Sequence, residues 1–153
     1  MISVSVSQTI DAPRDAVMAL YADYRNWGSI FPLIRGVRLV GQGGGRTILD
    51  VEHVEGHVPN VLRKISLDSI ELWEDRRKFT GTFLNTFQAV PCGTKYTVLA
   101  RIRLKGVYRL LTPFVGGLIR ARLRRYVMRP LKALAEGAQA PRGGVGESSC
   151  PPP

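Results

Sequence analysis

Residues 106–136 contain the longest helical pattern in the chain, and this pattern limits the folds that the rest can adopt. Apolar residues recur there at three- and four-residue steps, which is typical of one face of an amphipathic helix. We expect the main helix to begin at Thr112 and Pro113, because a threonine hydroxyl can cap a helix and proline is tolerated in the first turn. Pro130 should bend the helix near its end. A helix of this length needs a broad apolar surface to pack against.

The preceding hundred residues supply this surface as a predicted sheet. Residues 2–10 alternate isoleucine and valine with serine, which is the period of a half-buried strand. Residues 11–24 switch to a helical period and residues 25–32 form a short turn-rich element, so two short helices are predicted. Six more strands, separated by turn sequences, are predicted at 34–41, 46–54, 60–67, 69–75, 77–88 and 94–105.

Strands that follow one another through short turns pair antiparallel. The sequence therefore predicts an α+β fold, in which a seven-stranded curved antiparallel sheet with two short N-terminal helices wraps a long C-terminal helix.

A chain of 153 residues fits one domain, which we assign to residues 1–136. Residues 137–153 are rich in glycine, proline and small polar residues, and we expect them to form a disordered tail. The chain has no run of about 18 apolar residues that predicts a membrane span, and its N-terminus lacks the pattern of an export signal. We therefore expect a cytoplasmic protein.

Alternation along the strands predicts which side chains face the helix. On the 60–67 strand, the set taken as inward contains Arg63 together with Val61, Ile65 and Leu67. A guanidinium among aliphatic side chains is costly unless it meets an acid, a carbonyl or water. Either Arg63 faces a cavity that is wet or holds a polar ligand group, or its side chain reaches the rim of the sheet.

Two aromatic residues, Trp27 and Phe31, lie close to a predicted chain reversal, and two interpretations of their role are possible. They either close one end of the core or line the mouth of a cavity. His53 is predicted to face inward on the 46–54 strand. Each interpretation places large or polar side chains near the space between sheet and helix.

Motifs for metal or nucleophilic catalysis are missing from the sequence. The GQGGG stretch lies between two strands and is read as a hairpin turn, not as a phosphate-binding loop. His53 and His57 occur in HVEGH, but the glutamate is misplaced for a zinc protease and Gly56 belongs to a turn. No serine has the context of a nucleophile elbow. We therefore expect no metal ion and no other cofactor.

Three short N-terminal motifs carry a family resemblance: I-x-A-P-x-x-x-V, then D-x-x-x-W, then a phenylalanine–proline pair. Their residues are Ile10, Ala12, Pro13, Val17, Asp23, Trp27, Phe31 and Pro32. With the predicted order of elements, they resemble the polyketide cyclase/dehydrase and lipid-transport superfamily (SRPBCC), which includes START-like and birch-pollen-allergen-like proteins. Over residues 1–136 the resemblance implies a helix-grip fold, with a cavity between sheet and helix for a lipid, an isoprenoid quinone or an aromatic polyketide.

The first functional hypothesis is a non-catalytic protein that binds or carries a hydrophobic small molecule. Its expected ligand-binding residues are Trp27, Phe31, Arg63, Phe79, Phe83, Tyr96, Val98 and Leu118. The alternative is an enzyme that resembles aromatic polyketide cyclases, in which Arg63, the one candidate catalytic residue, polarises a carbonyl. A third hypothesis is a ribosome- or RNA-associated member of the same fold.

The net charge of +10 is concentrated near the C-terminus, since residues 101–136 carry ten basic side chains and one acidic side chain. This is either an ordinary solvated surface or a surface for an anionic partner. The expected anion-binding residues are Arg120, Arg124, Arg125, Arg129 and Lys132, joined by Arg101 and Arg103. An anionic membrane is the favoured partner and RNA is less favoured, with Gly116, Gly117 and the Thr112–Pro113 pair letting the helix start move.

Overall fold

A computed structural model of the protein describes residues 1–139. The first half consists of β1 (Ile2–Ile10), α1 (Arg14–Ala22), a 3₁₀ turn (Tyr24–Asn26), α2 (Trp27–Ile30), β2 (Ile34–Gly43), β3 (Arg46–His53) and β4 (Gly56–Lys64). The second half consists of β5 (Ser69–Asp75), β6 (Phe79–Val90), β7 (Gly93–Leu104), a 3₁₀ helix (Gly106–Leu111), α3 (Val115–Leu123), a π-helical segment (Arg124–Met128) and α4 (Arg129–Gln139).

All seven strands pair antiparallel in one sheet with the order β1-β7-β6-β5-β4-β3-β2. The strands β2 to β7 follow one another as a meander, and β1 pairs with β7 at the end of it. The last helix packs on one face of this sheet, where Met128 and Leu131 are buried. The predicted α+β helix-grip architecture is therefore confirmed.

The C-terminal helix begins at Val115, with Phe114 at its cap position, two residues later than the predicted cap at Thr112. The Thr112 hydroxyl does not cap α3, because it donates to the carbonyl oxygen of Arg109 at 2.6 Å and thereby closes the preceding 3₁₀ helix. Near the other end, Pro130 has no N–H for the carbonyl of Tyr126. The adjacent N–H of Arg129 bonds instead to the carbonyl of Arg124, a five-residue step, so the π-helical segment lies directly before Pro130.

The expected domain boundary at residue 136 stays a prediction, and the last helix extends three residues past it. Helix α4 continues through Gln139, so residues 137–139 of the expected tail are helical. The rest of that tail, residues 140–153, lies outside the described residues. Within residues 1–139 there is no helix with both the length and the apolar character that crossing a bilayer requires.

Strand β4 begins at Gly56, four residues before its predicted start at residue 60, and ends at Lys64. Gly56 and Pro59 suggested a longer turn, but the turn between β3 and β4 contains only Val54 and Glu55. Gly56 has a φ of 120°, which suits glycine because it has no Cβ. Pro59 lies opposite Asp50 of β3. The pairing of β4 with β5 begins one residue later, at Asn60, so the missing N–H of Pro59 costs no hydrogen bond to β5.

Candidate functional site

A cavity of about 420 Å³ lies between the concave face of the sheet and the C-terminal helix. This volume falls within the range of pockets that hold small molecules. Most of its wall is apolar, with aliphatic and aromatic contributions from α2, from the strands and from α3 that include Val51, Val58, Leu72, Ile102 and Ile119. The wall alone indicates a site that favours a hydrophobic molecule.

The structure places six of the eight expected ligand-binding residues around this cavity, although their binding of a ligand remains a prediction. These six are Trp27, Phe31, Phe79, Phe83, Val98 and Leu118. Tyr96 lies behind the cavity wall, fully buried, with its ring stacked on Phe87 at 4.9 Å between ring centroids. Arg63 is the other residue that does not line the cavity.

The position of Arg63 corrects the expectation that it faces the cavity. Its side chain lies on the outer face of the sheet, where Nη2 donates to Oε1 of Glu71 on β5 at 2.8 Å. The inward residues of β4 are instead Val58, Asn60 and Leu62. The expected inward partners Ile65 and Leu67 lie beyond the end of β4 and are exposed.

The register of the hairpin explains this inversion. A two-residue turn places Val58 opposite Val51, so these two side chains share the inner face. The predicted strand ran from residue 60 to 67, so Ile65 and Leu67 made the set with Arg63 look like the apolar one, and Val58 was left out of the comparison. A two-residue turn at Val54 and Glu55 was the signal that could have set the register.

Trp27 both fills the core and lines the cavity, so the two interpretations of this residue hold together. The side chain is 1% exposed, and its Nε1 donates to the carbonyl oxygen of Tyr21 at 2.7 Å. Its ring also lies 6.2 Å from that of Phe31. Because the indole N–H is already bonded, Trp27 offers a ligand its ring surface and no hydrogen bond.

One end of the cavity is polar. It lies at the strand ends that the β3–β4 and β5–β6 turns connect. Glu74 is buried there on the inner face, and its Oε1 lies 3.1 Å from Nε of Arg76. Arg76 also lies 3.6 Å from Oε2 of Glu55. Burial raises the pKa of Glu74, while the charge of Arg76 opposes this rise. These three residues were not predicted, because the strand assignment around them carried no face assignment.

His53 adds an uncharged polar group to this end. It is buried, and burial lowers the pKa of its imidazole to about 4, with the cations Arg76 and Arg122 acting in the same direction and Glu55 against it. Its Nδ1 has no hydrogen-bond partner within residues 1–139, and neither has Oδ1 of Asn60 on the adjacent strand. A buried polar atom normally has a partner. His53 and Asn60 therefore each bring to the cavity wall one polar atom without a hydrogen-bond partner, and we call these two the open polar atoms.

A second polar group in the cavity wall is already satisfied by the protein. Asn85 accepts a hydrogen bond at Oδ1 from the hydroxyl of Tyr96 at 2.7 Å, and its Nδ2 donates to the carbonyl oxygens of Ile70 and Phe83. This network fixes the inner wall and leaves the open polar atoms at the His53 end.

The expected anion-binding residues differ in the structure in their location and in whether they already have a partner. Lys132 is engaged, since its Nζ donates to the carbonyl oxygen of Thr9 at 2.6 Å and lies 3.2 Å from Oε1 of Glu136. Arg101 and Arg103 alternate with buried Ala100 and Ile102, so they lie on the sheet face away from the helix. The other expected residues of the helix, Arg120, Arg124, Arg125 and Arg129, are exposed, and so is Arg122.

No cluster of three or more His, Cys, Asp or Glu side chains that could hold a metal ion occurs in the part of the chain that the structure describes. The groups that line the site are apolar side chains and, at one end, the Glu74–Arg76 ion pair, the amide of Asn60 and the imidazole of His53.

Comparison with known proteins agrees with this geometry. Residues 1–139 match the family of polyketide cyclase / dehydrase and lipid transport proteins. No curated protein matches the sequence. A START superfamily protein from Mycobacterium smegmatis has a TM-score of 0.75 to this structure at 16% identity, covering 90% of this chain and 99% of that chain.

Two aromatase/cyclase structures have the same fold. For the ZhuI aromatase/cyclase from Streptomyces sp. R1128 the TM-score is 0.71 at 16% identity, with 94% of this chain and 98% of that chain covered. The di-domain ARO/CYC StfQ from the steffimycin biosynthetic pathway has a TM-score of 0.70 to this structure at 15% identity, and the match covers 90% of this chain and 51% of that chain. Identities this low establish the shared fold and leave the activity open.

Proposed function

Because the chain belongs to the polyketide cyclase / dehydrase and lipid transport family, we propose that it binds and carries a hydrophobic small molecule in the cavity between sheet and C-terminal helix. The observation that carries this proposal is the composition of the cavity wall. An apolar wall with a few open polar atoms at one end is the usual design of a small-molecule site.

The polar end narrows the chemistry of the ligand. Oδ1 of Asn60 is an acceptor, so it pairs with a hydroxyl or N–H group of the ligand. His53 is neutral at pH 7, and its Nδ1 either donates or accepts according to the tautomer. We therefore expect a largely apolar ligand with a hydroxyl or hydroxyl–carbonyl group at one end. Such a ligand would satisfy both atoms without bringing a charge into the cavity.

An aromatase/cyclase-type enzyme is the second candidate, and one observation favours it: His53 is a buried, uncharged imidazole in the cavity wall. A neutral imidazole can take a proton from an enolising carbon. With a pKa of about 4, however, it is a weaker base than one whose pKa lies near neutral pH. The outward position of Arg63 also removes the cation that was expected to polarise a carbonyl. We therefore place binding first.

Quenching of Trp27 fluorescence tests the binding proposal. The chain has two tryptophans, so Trp73→Phe leaves Trp27 in the cavity wall as the only reporter. The probes are a short-chain isoprenoid quinone, a fatty acid and a hydroxylated anthraquinone, one for each ligand class. We expect saturable quenching by at least one of them.

Two further variants locate the bound probe. Val98→Phe adds volume inside the cavity, and we expect it to weaken binding at least about fivefold. Val61→Phe adds the same volume outside the cavity wall and serves as the matched control. Quenching that is equal in the two variants, or absent with all three probes, would contradict the proposal.

A further inference from the structure

The segment that leads into the C-terminal helix exposes large apolar side chains to solvent. Leu110 and Phe114 are each 80% exposed and Val107 is 76% exposed. Leu111 and Leu118 are exposed as well, and both also line the cavity. We call these five residues the apolar tip. Contiguous exposed apolar residues on a small protein mark an interaction site more often than isolated ones do.

The apolar tip borders the mouth of the cavity. Leu111 and Leu118 belong to both surfaces, so a molecule leaving the cavity between them would pass directly onto the tip. The start of α3 is not fixed by a side-chain cap, because Phe114 occupies the cap position without a capping hydrogen bond. Gly116 and Gly117 follow with open space around them.

Cations flank the tip along its own segment of the chain, which carries no acid, although Lys105 directly before it pairs with Asp75. Arg109 lies within the 3₁₀ helix and is exposed, and residues 106–135 contain no aspartate or glutamate. At about 1.5 Å per residue, Arg120 lies about 9 Å and Arg124 about 15 Å further along the helix axis than Phe114. An apolar end followed by arginines at this distance fits the boundary between acyl chains and phosphates, where interfacial helices bury their apolar face by about 5–10 Å.

We propose that the apolar tip inserts into the interface of an anionic lipid bilayer, with Arg109, Arg120 and Arg124 at the level of the lipid phosphates. The charges favour this partner over two others. A second copy of the chain would bring like-charged arginines together around the apolar contact. An RNA partner would use the arginines and leave Leu110 and Phe114 in water. The inference concerns the outer surface and is independent of which molecule occupies the cavity.

Flotation of the full chain with lipid vesicles tests this proposal. Vesicles of phosphatidylcholine alone are compared with vesicles that contain about 30 mol% phosphatidylglycerol, a composition that gives a negative surface potential. We expect binding to the anionic vesicles that weakens with salt. Leu110→Ser/Phe114→Ser should lower the vesicle partition coefficient at least about tenfold, because two exposed apolar groups are lost from the interface. Arg120→Gln/Arg124→Gln should lower it about tenfold through the lost phosphate contacts.

Matched controls come from the opposite end of the sheet. Leu67 is also 80% exposed, and it lies in the β4–β5 turn, so Leu67→Ser tests the general effect of removing an exposed apolar side chain. Arg46→Gln/Lys64→Gln removes two exposed cations there and reproduces the change in net charge. Both controls should bind as the unaltered chain does. Circular dichroism identifies any variant that has failed to fold.

A tryptophan introduced in place of Phe114 gives a second readout that does not depend on loss of function. The double variant Trp73→Phe/Phe114→Trp is compared with Trp73→Phe, because both keep Trp27. We expect the additional emission of the introduced tryptophan to shift to the blue with anionic vesicles and to be quenched by brominated acyl chains. The proposal is overturned if the chain ignores anionic vesicles at low salt, or if the control variants lose binding equally. It is also overturned if Leu110→Ser/Phe114→Ser converts a dimer to a monomer without altering flotation.

Discussion

Replacing Asn85 with leucine should destabilise the protein, because it removes the partner of the buried hydroxyl of Tyr96. This hydroxyl donates to Oδ1 of Asn85 at 2.7 Å, and Nδ2 of Asn85 donates to the carbonyl oxygens of Ile70 and Phe83. Burial raises the pKa of the Tyr96 phenol, so it stays a protonated donor at neutral pH. Leaving a buried polar group without a partner costs about 1–3 kcal/mol.

The unpaired hydroxyl of Tyr96, together with the two lost bonds from Nδ2, gives a loss of about 3 kcal/mol after allowance for the larger apolar area of leucine. For a chain of this size, 1 kcal/mol corresponds to about 2–4 °C in Tm, so the midpoint should fall by about 6–12 °C. Differential scanning calorimetry measures this fall. Urea unfolding gives the free energy of unfolding independently.

A double-mutant cycle with Tyr96→Phe separates the hydrogen bond from the change of shape. The double variant Asn85→Leu/Tyr96→Phe no longer contains the unpaired hydroxyl of Tyr96. We expect it to be more stable than the sum of the two single losses implies, by about 1–2 kcal/mol. If the two losses add within about 0.4 kcal/mol, the hydrogen bond between these residues is not the source of the effect, and the reasoning is refuted.

Single residues elsewhere in the fold give three further predictions. The pKa of His53 is about 4 in the folded protein and ordinarily 6.5, so at acidic pH the unfolded chain takes up a proton more readily than the folded chain does. The free energy of unfolding should therefore fall by up to about 3 kcal/mol as the pH is lowered from 6.5 to 4. His53→Gln should make the free energy of unfolding less dependent on pH in this range. Arg63→Ala should leave probe binding unchanged and cost at most about 1 kcal/mol in urea unfolding, because its ion pair with Glu71 is partly exposed; a large loss of binding would contradict its outward position. Gly93→Ala should abolish or severely reduce thermal stability, since a Cβ at φ 126° would lie 2.2 Å from the carbonyl oxygen of Ile10, and an unchanged Tm would refute this.

The order of elements was predictable because it rests on local patterns. Each of these elements buries one face, so its apolar residues recur with the period of a strand in β1 and of a helix after Val115. Both periods can be seen in the sequence. The family resemblance rests on residues in the first two helices and their turns, and it is confirmed over residues 1–139. These residues fix chain reversals, so they indicated the fold well.

Side-chain direction in the middle of the sheet was harder to predict. The strand was predicted at 60–67, which counted Ile65 and Leu67 as part of it and left Val58 out, so the face with Arg63 was taken as inward and Asn60 as outward. Glu74 was missed for a different reason: a buried acid is rare unless it is paired, and its partner Arg76 lies beyond the end of β5. Pairing across a turn is a property of the folded sheet, so the polar end of the cavity emerged only from the structure.

The central claim is that the cavity holds a hydrophobic molecule with a polar group at the His53 end. Native mass spectrometry of the protein purified from cells without detergent, followed by organic extraction of the bound fraction, measures this directly. The account predicts a mass excess from one uncharged apolar compound that carries a hydroxyl or hydroxyl–carbonyl group, retained by Val61→Phe and lost or reduced in Val98→Phe. A protein that carries no such compound, and that takes up none when incubated with a lipid extract of the same cells, would contradict it.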